Sequence, residues 1–312
     1  MKSLKTLRLC SAFTALLALT GAASAAVGEV SLSGSTWTGK VDGVTKYTGN
    51  NMAAAGNACV AAMSSGTLRI YNGGNTGGTI NLKSNVNADG WGNTLTGVSG
   101  SSNGVIRARN SSNTGAKNVR CEGGQWFGLY FQTSNGQTFS GISGGAGILM
   151  RIDNCAGGTG YNFNGGSPNG TNSGSHAVET YGINSATLGT VNATDRTGGC
   201  GLLFNATNVG RVSNVNGTRC NYSGGYAGYR LANSNYDCYA SSRVTSISCG
   251  RGFFSLTGSN NSAVANLTAT NNRDIGVWIQ DCVNVRVVAG TVSGSNCKSV
   301  SGSGSYANVT CR

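Results

Sequence analysis

Short apolar runs return along this chain at a near-constant interval, and that recurrence limits the folds open to it. They begin with "GVIR" at Gly104, "GLYF" at Gly128, "GILM" at Gly147 and "AVET" at Ala177. They continue with "GLLF" at Gly201, "GYRL" at Gly228, "GFFS" at Gly252 and "GVWI" at Gly276. The intervals are 24, 19, 30, 24, 27, 24 and 24 residues, a repeat of about 24 with one insertion before Ala177. A second alternating run follows about ten residues later in several repeats, as in "VGRVSNV" (209–215) and "RVTSISC" (243–249). Period-two alternation over short runs specifies strands. A repeat of this length is one supersecondary unit that must stack on its neighbours to bury a face. An asparagine falls seven residues after the repeat start at Asn154, Asn184, Asn208 and Asn235, and eight after it at Asn260 and Asn284. Stacked amides of this kind bond along a ladder. The expected fold is all-β: a right-handed parallel β-helix, a single solenoid with about 24 residues per coil and right-handed crossovers. A β-sandwich, the competing all-β reading, would show hairpin turns and no constant register. "NNMAAAGNACVAAM" (51–64) reads as a short helix capping the N-terminal end, with irregular first coils to about residue 100, and the tail "SGSGSYANVTCR" as cover for the other end.

The chain begins with a basic segment (Lys2, Lys5, Arg8), an apolar stretch too short to span a bilayer, and the small-residue site Ala23-Ser24-Ala25. This pattern predicts a secretory signal peptide over 1–25, a β-helix domain over 26–312, a secreted or periplasmic location and no membrane anchor. Removing 1–25 leaves 19 basic against 10 acidic residues and ten cysteines. In an oxidising compartment those cysteines are expected to be mostly disulfide-bonded. No CxxC or Cys/His cluster suggests zinc. The basic balance suits an anionic partner. Because the basic residues are dispersed and carry no nucleic-acid-binding motif, an acidic polysaccharide is expected rather than nucleic acid, and the chain is expected to be a monomer.

Alternation places the first and third residues after each repeat start in the core (Leu129/Phe131, Leu202/Phe204, Tyr229/Leu231, Val277/Ile279) and the second and fourth outside. The outward pairs are then Tyr130/Gln132, Leu149/Arg151, Glu179/Tyr181, Leu203/Asn205, Arg230/Ala232, Phe254/Leu256 and Trp278/Gln280. Coils stack ~4.8 Å apart, so Glu179 should lie one coil from Arg151, with Arg230 about 10 Å further on. The only histidine, His176, precedes the Glu179 strand at the end of an insertion (157–175), and Asp195 and Arg196 occupy the loop into the next coil. Such a stripe reads as a polysaccharide track, with catalytic candidates Glu179, Tyr181, His176, Arg230 and Asp195. Arg151, Tyr130, Asn205, Phe254, Trp278 and Arg196 are candidates for holding the chain. A surface ion-pair cluster with aromatics covering a loop is the alternative.

On "VETYG" (178–182), "GLLFN" (201–205), "GYAGYRLAN" (225–233) and "GRGFF" (250–254), roughly residues 145–290, the chain resembles secreted bacterial proteins of the pectate-lyase-like β-helix superfamily. The resemblance implies action on uronic-acid polymers by lyases, hydrolases or epimerases. The chain departs from the superfamily's motifs. It lacks the clustered aspartates of pectate-lyase calcium sites, the paired-Asp and Gly-His-Gly motifs of polygalacturonases, the Asp-Pro-His-Glu of alginate epimerases, and nonapeptide calcium repeats. Ca²⁺ is therefore not indicated and no cofactor is expected.

Three functions remain open. A lyase needs a cation at the uronate carboxylate, from Arg151 or Arg230, and a base and acid, from Tyr181 or His176. A hydrolase needs two carboxyls about 5–5.5 Å or about 6.5–9.5 Å apart. Glu179 with Asp195 is the expected pair; Asp153, read as four residues too far along its strand, stands behind. A non-catalytic glycan-binding or adhesin β-helix would keep the stripe alone.

Overall fold

The computed structural model describes residues 25–99, 103–123, 126–154, 162–172 and 174–312. The expected signal segment, save its last residue, lies outside these. Parallel strands stack into a β-solenoid of about nine turns, about 24 residues apart. Among the described residues each coil sends one strand to a narrow sheet and one long or two short strands to a wide sheet. The narrow sheet follows chain order from Ile80–Leu82 to Asn296–Val300. The wide sheet holds the longer strands, such as Ser185–Thr194, Val209–Thr218 and Cys238–Ile247. At the N-terminal end Ala26–Ser33, Thr36–Val41 and Val44–Gly49 form an antiparallel meander. The helix expected over 51–64 runs Met52–Ala62, and the Asn51 side chain accepts from the Ala54 N–H at 2.8 Å. Its buried face (Met52, Ala55, Cys59, Val60) continues the solenoid core. Gly39 lets a strand approach it, since a Cβ there would stand 2.7 Å from the Ala55 carbonyl. At the other end the tail packs against the core as expected, with Ala307 buried in it and Val309 against it. Tyr306–Ala307 and Thr310–Cys311 pair in parallel with Arg286–Ser293 as a last rung, tied back by a Cys297–Cys311 disulfide.

The inward positions are as alternation dictates. Leu129, Phe131, Leu202, Phe204, Tyr229, Leu231, Val277 and Ile279 are all buried. Aromatic rings pack from coil to coil, Phe204 edge-on to Tyr229 at 5.9 Å and Tyr229 tilted on Phe253 at 5.4 Å between centroids. One coil slips by two residues against expectation. Met150 pairs with Val178 and Arg151 with Glu179, so that coil's outward pair is Arg151/Asp153, and Leu149 is buried. The slip keeps the parity and shifts the start: Gly147 follows Gly128 by 19 residues, whereas the paired strands are offset by 21 (Tyr130 with Arg151), so alignment on the glycines sets the coil two residues early. The asparagine ladder is divided in two. Asn208 donates to Asn184 at 3.4 Å and Asn284 to Asn261 at 3.0 Å, whereas buried Asn235 bonds the Phe204 and Ala232 carbonyls and Ser259 instead.

The cysteines also depart from expectation. Cys59, Cys121, Cys200, Cys220, Cys238, Cys249 and Cys282 are unbonded and buried. They fill interior positions as small apolar side chains, and burial pushes the thiols of Cys121, Cys200 and Cys238 up to about 12. Thiol titration of denatured, unreduced protein is expected to find seven or more free thiols. Three or fewer would restore the disulfide-rich reading.

Candidate functional site

The narrow-sheet register sets Tyr130, Arg151, Glu179, Leu203, Arg230, Phe254 and Trp278 in one outward row, one residue per coil. Beside it runs a second row with Gln132, Asp153, Tyr181 and Asn205. The row is not the open groove that alternation alone suggests. Glu179, Leu203 and Phe254 are each 5% exposed, because the long side chains of neighbouring coils fold over them.

Two arginines differ sharply in their surroundings. Arg151 is saturated with carboxylates: Nη1 meets Glu179 Oε2 at 2.5 Å and Nη2 meets Asp153 Oδ2 at 2.9 Å. Burial pulls its pKa down, but the two carboxylates outweigh that and the net shift is upward. Asp153 pairs with Tyr181, so it lies two residues along from Glu179's position rather than four, close enough to share this guanidinium. Arg230, by contrast, meets no carboxylate among the described residues. Its Cζ lies 4.7 Å from the Tyr226 ring centroid and 5.0 Å from that of Phe254. Its buried Nε has no hydrogen-bond partner among the described residues. The aromatic stack continues through Arg251, 4.5 Å from Phe254 and 4.4 Å from Trp278, with Asp274 at 3.5 Å. At the other end Tyr130 rests on Phe127 at 4.2 Å. A depression of about 430 Å³ opens there between Trp126, Phe127, Ile148 and Arg151.

Tyr181 is 39% exposed, with the Arg151 guanidinium 5.6 Å from its ring centroid. Asn205 reaches Glu179 at 3.5 Å and accepts from Asn233 at 2.8 Å.

His176, Asp195 and Arg196 are not where the expected groove edge would put them. His176 is buried; its Nδ1 accepts the Cys200 N–H at 2.8 Å and its ring meets Tyr226 edge-on. Burial first, then the charges of Arg230, Arg196 and Arg151, push its pKa down to about 3, so the imidazole is neutral. Asp195 ends a wide-sheet strand with φ of 59° and pairs with Arg219, at 2.5 and 2.8 Å. That arginine holds its pKa below the usual carboxylate value. The carboxyl that shares an arginine with Glu179 is Asp153, not Asp195. Arg196 is fully buried and donates to the carbonyls of Ala146, Gly147, Thr171, Ser175 and His176. Its side chain faces the interior, away from any ligand on the narrow sheet.

Sequence reasoning missed Phe127, Tyr226 and Arg251. Phe127 and Arg251 each precede the opening glycine of a repeat. Both lie three residues before an outward residue, Tyr130 and Phe254, so the alternation breaks at the glycine and brings two side chains to one face. An aromatic or arginine just before the repeat glycine was the available signal.

Among the described residues no helix is long and apolar enough to cross a membrane. No family model matches the chain, and neither curated proteins nor solved structures provide a match.

Proposed function

We propose that this is a secreted carbohydrate-active enzyme of the pectate-lyase-like kind that holds an anionic polysaccharide along the narrow sheet and cleaves it by β-elimination. The observation that carries the reading is Arg230, a cation held between two rings with no carboxylate partner among the described residues. A uronate carboxylate would supply the missing partner, through charge-assisted hydrogen bonds. Its neutralisation makes the C5 proton more acidic. With His176 buried and neutral, base and acid fall to the phenols of Tyr226, beside Arg230, and Tyr181, the more exposed. Trp278, partly exposed and backed by buried Phe254 with rings 5.2 Å apart, offers apolar surface to an adjoining sugar. The second reading is a glycoside hydrolase. It is favoured by the two carboxyls of Glu179 and Asp153 on one guanidinium, and it replaces the Glu179–Asp195 pair.

A polysaccharide panel separates the readings. Absorbance of an unsaturated uronate reports elimination; reducing ends without it report hydrolysis. Arg230→Ala is expected to weaken polyuronate binding at least about tenfold, the loss of one charge-assisted contact. Tyr226→Phe or Tyr181→Phe should cut turnover while leaving binding nearly intact. Polyuronate retention unchanged by Arg230→Ala would sink the proposal. Binding without cleavage of any substrate would leave a glycan-binding module and remove the enzyme.

A further inference from the structure

On the wide sheet, away from the row just described, Trp91 stands 55% exposed at φ of 54°. Left-handed backbone is unfavourable for a bulky side chain. The same bend in the next two coils is also left-handed, but it is occupied by Asn118 (φ 52°) and Gly141 (φ 60°), residues that tolerate it. The strain at Trp91 comes with an insertion. Four residues separate Asp89 from Thr94, where two separate their partners Lys117 and Arg120. The Asp89 side chain accepts the Trp91 N–H at 3.0 Å and holds the loop outward. Beneath the indole, Arg69 lies 5.7 Å from the ring centroid and Tyr71 meets it edge-on at 5.3 Å. Beside it opens a depression of about 560 Å³, lined by Asp89, Gly92, Asn118, Arg120 and Ser143.

A supported, exposed indole in a backbone that disfavours it implies that the side chain is kept for what it touches. We propose that Trp91 is the platform of a second glycan site, which takes a neutral sugar ring. The indole would stack on the sugar's C–H face, and Asn118, Ser143 and Arg120 would bond its hydroxyls. The ligand is neutral because the charges at the rim are already paired, Lys117 with Asp89 at 3.3 Å and Arg120 with Glu122 at 2.5 Å. This site is independent of the narrow-sheet reading.

The test is affinity electrophoresis of the full chain in neutral polysaccharides (β-1,3-glucan, β-1,4-glucan, xylan, mannan) and in polyuronate. At least one neutral glycan should retard the wild type, and Trp91→Asn should weaken that retardation tenfold or more. Asparagine suits the left-handed bend, so the variant should melt no lower than the wild type. Arg230→Ala should leave neutral retardation unchanged. The proposal is overturned if no neutral glycan retards the wild type, if Trp91→Asn is retarded equally, or if Arg230→Ala loses neutral binding as well.

Discussion

Arg196→Met is expected to destabilise the solenoid by about 3–5 kcal/mol, the cost of breaking a buried charged network by removing one member. The side chain donates to five main-chain carbonyls contributed by two stretches of chain, 146–147 and 171–176. Those carbonyls belong to the narrow-sheet entry of one coil and to the end of the insertion, and methionine fills the volume while leaving them unpaired. Burial lowers the Arg196 pKa to about 10, which still leaves it charged at neutral pH. The packing is tight, since a Cβ on Gly174 would fall 2.3 Å from its Nη2. Arg196→Lys should recover little, because an ammonium cannot reproduce the planar fork. Urea unfolding followed by circular dichroism would measure the loss; a change under about 1 kcal/mol, the range of exposed sites, would show that the network contributes little.

Acid should weaken the protein through His176 by a comparable amount. Its folded pKa, about 3, lies below the unfolded value of about 6.5. Between those values the unfolded chain binds a proton that the folded chain refuses, so stability is complete above about pH 6.5 and declines as pH falls towards 3. At about 1.4 kcal/mol per pH unit the limiting loss is roughly 4–5 kcal/mol. Carboxylates also titrate in this window, so the measurement is a difference. His176→Asn keeps an acceptor for the Cys200 N–H without a titrating group, and its stability should fall less between pH 7 and pH 4 than the wild type's. Parallel curves for the two proteins would remove His176 as the cause.

The solenoid was legible because its coils repeat and its strands alternate. Leu202, Phe204, Val277 and Ile279 could be assigned to the interior from parity alone, and the contact of Glu179 with Arg151 followed from stacking. The slip at Leu149 arose because Gly147 opens its repeat two residues ahead of the paired register, a shift that parity cannot detect. Burial of His176 and Arg196 was not legible for a different reason. Both lie in turns, where no period applies, and polar turn residues are ordinarily read as exposed. The position of Arg196, two residues beyond a wide-sheet strand, recurs as Cys220, Cys249 and Asn272, all of them buried. That column of interior turn positions carried the signal, but it is visible only once the strand ends are known. The separate roles of Arg151 and Arg230 depend on which carboxylates reach them, and repeat spacing does not resolve side-chain pairing at that scale.

The closure of both ends has a mechanical consequence. A stack of coils held mainly by nearest-neighbour contacts ordinarily frays from its termini inward. Here a packed helix seals one terminus and a covalent cross-link the other. Among the described residues the thinnest interior rung lies between them, where the coil bearing the insertion contributes Asn162–Asn164 and Asn169–Gly170 to the wide sheet, against ten residues from Ser185–Thr194 in the next. Opening should therefore start from the inside, with the two halves parting as stiff rods about that rung. Arg196, bonded to the end of the insertion and to the coil before it, is the latch that holds them together.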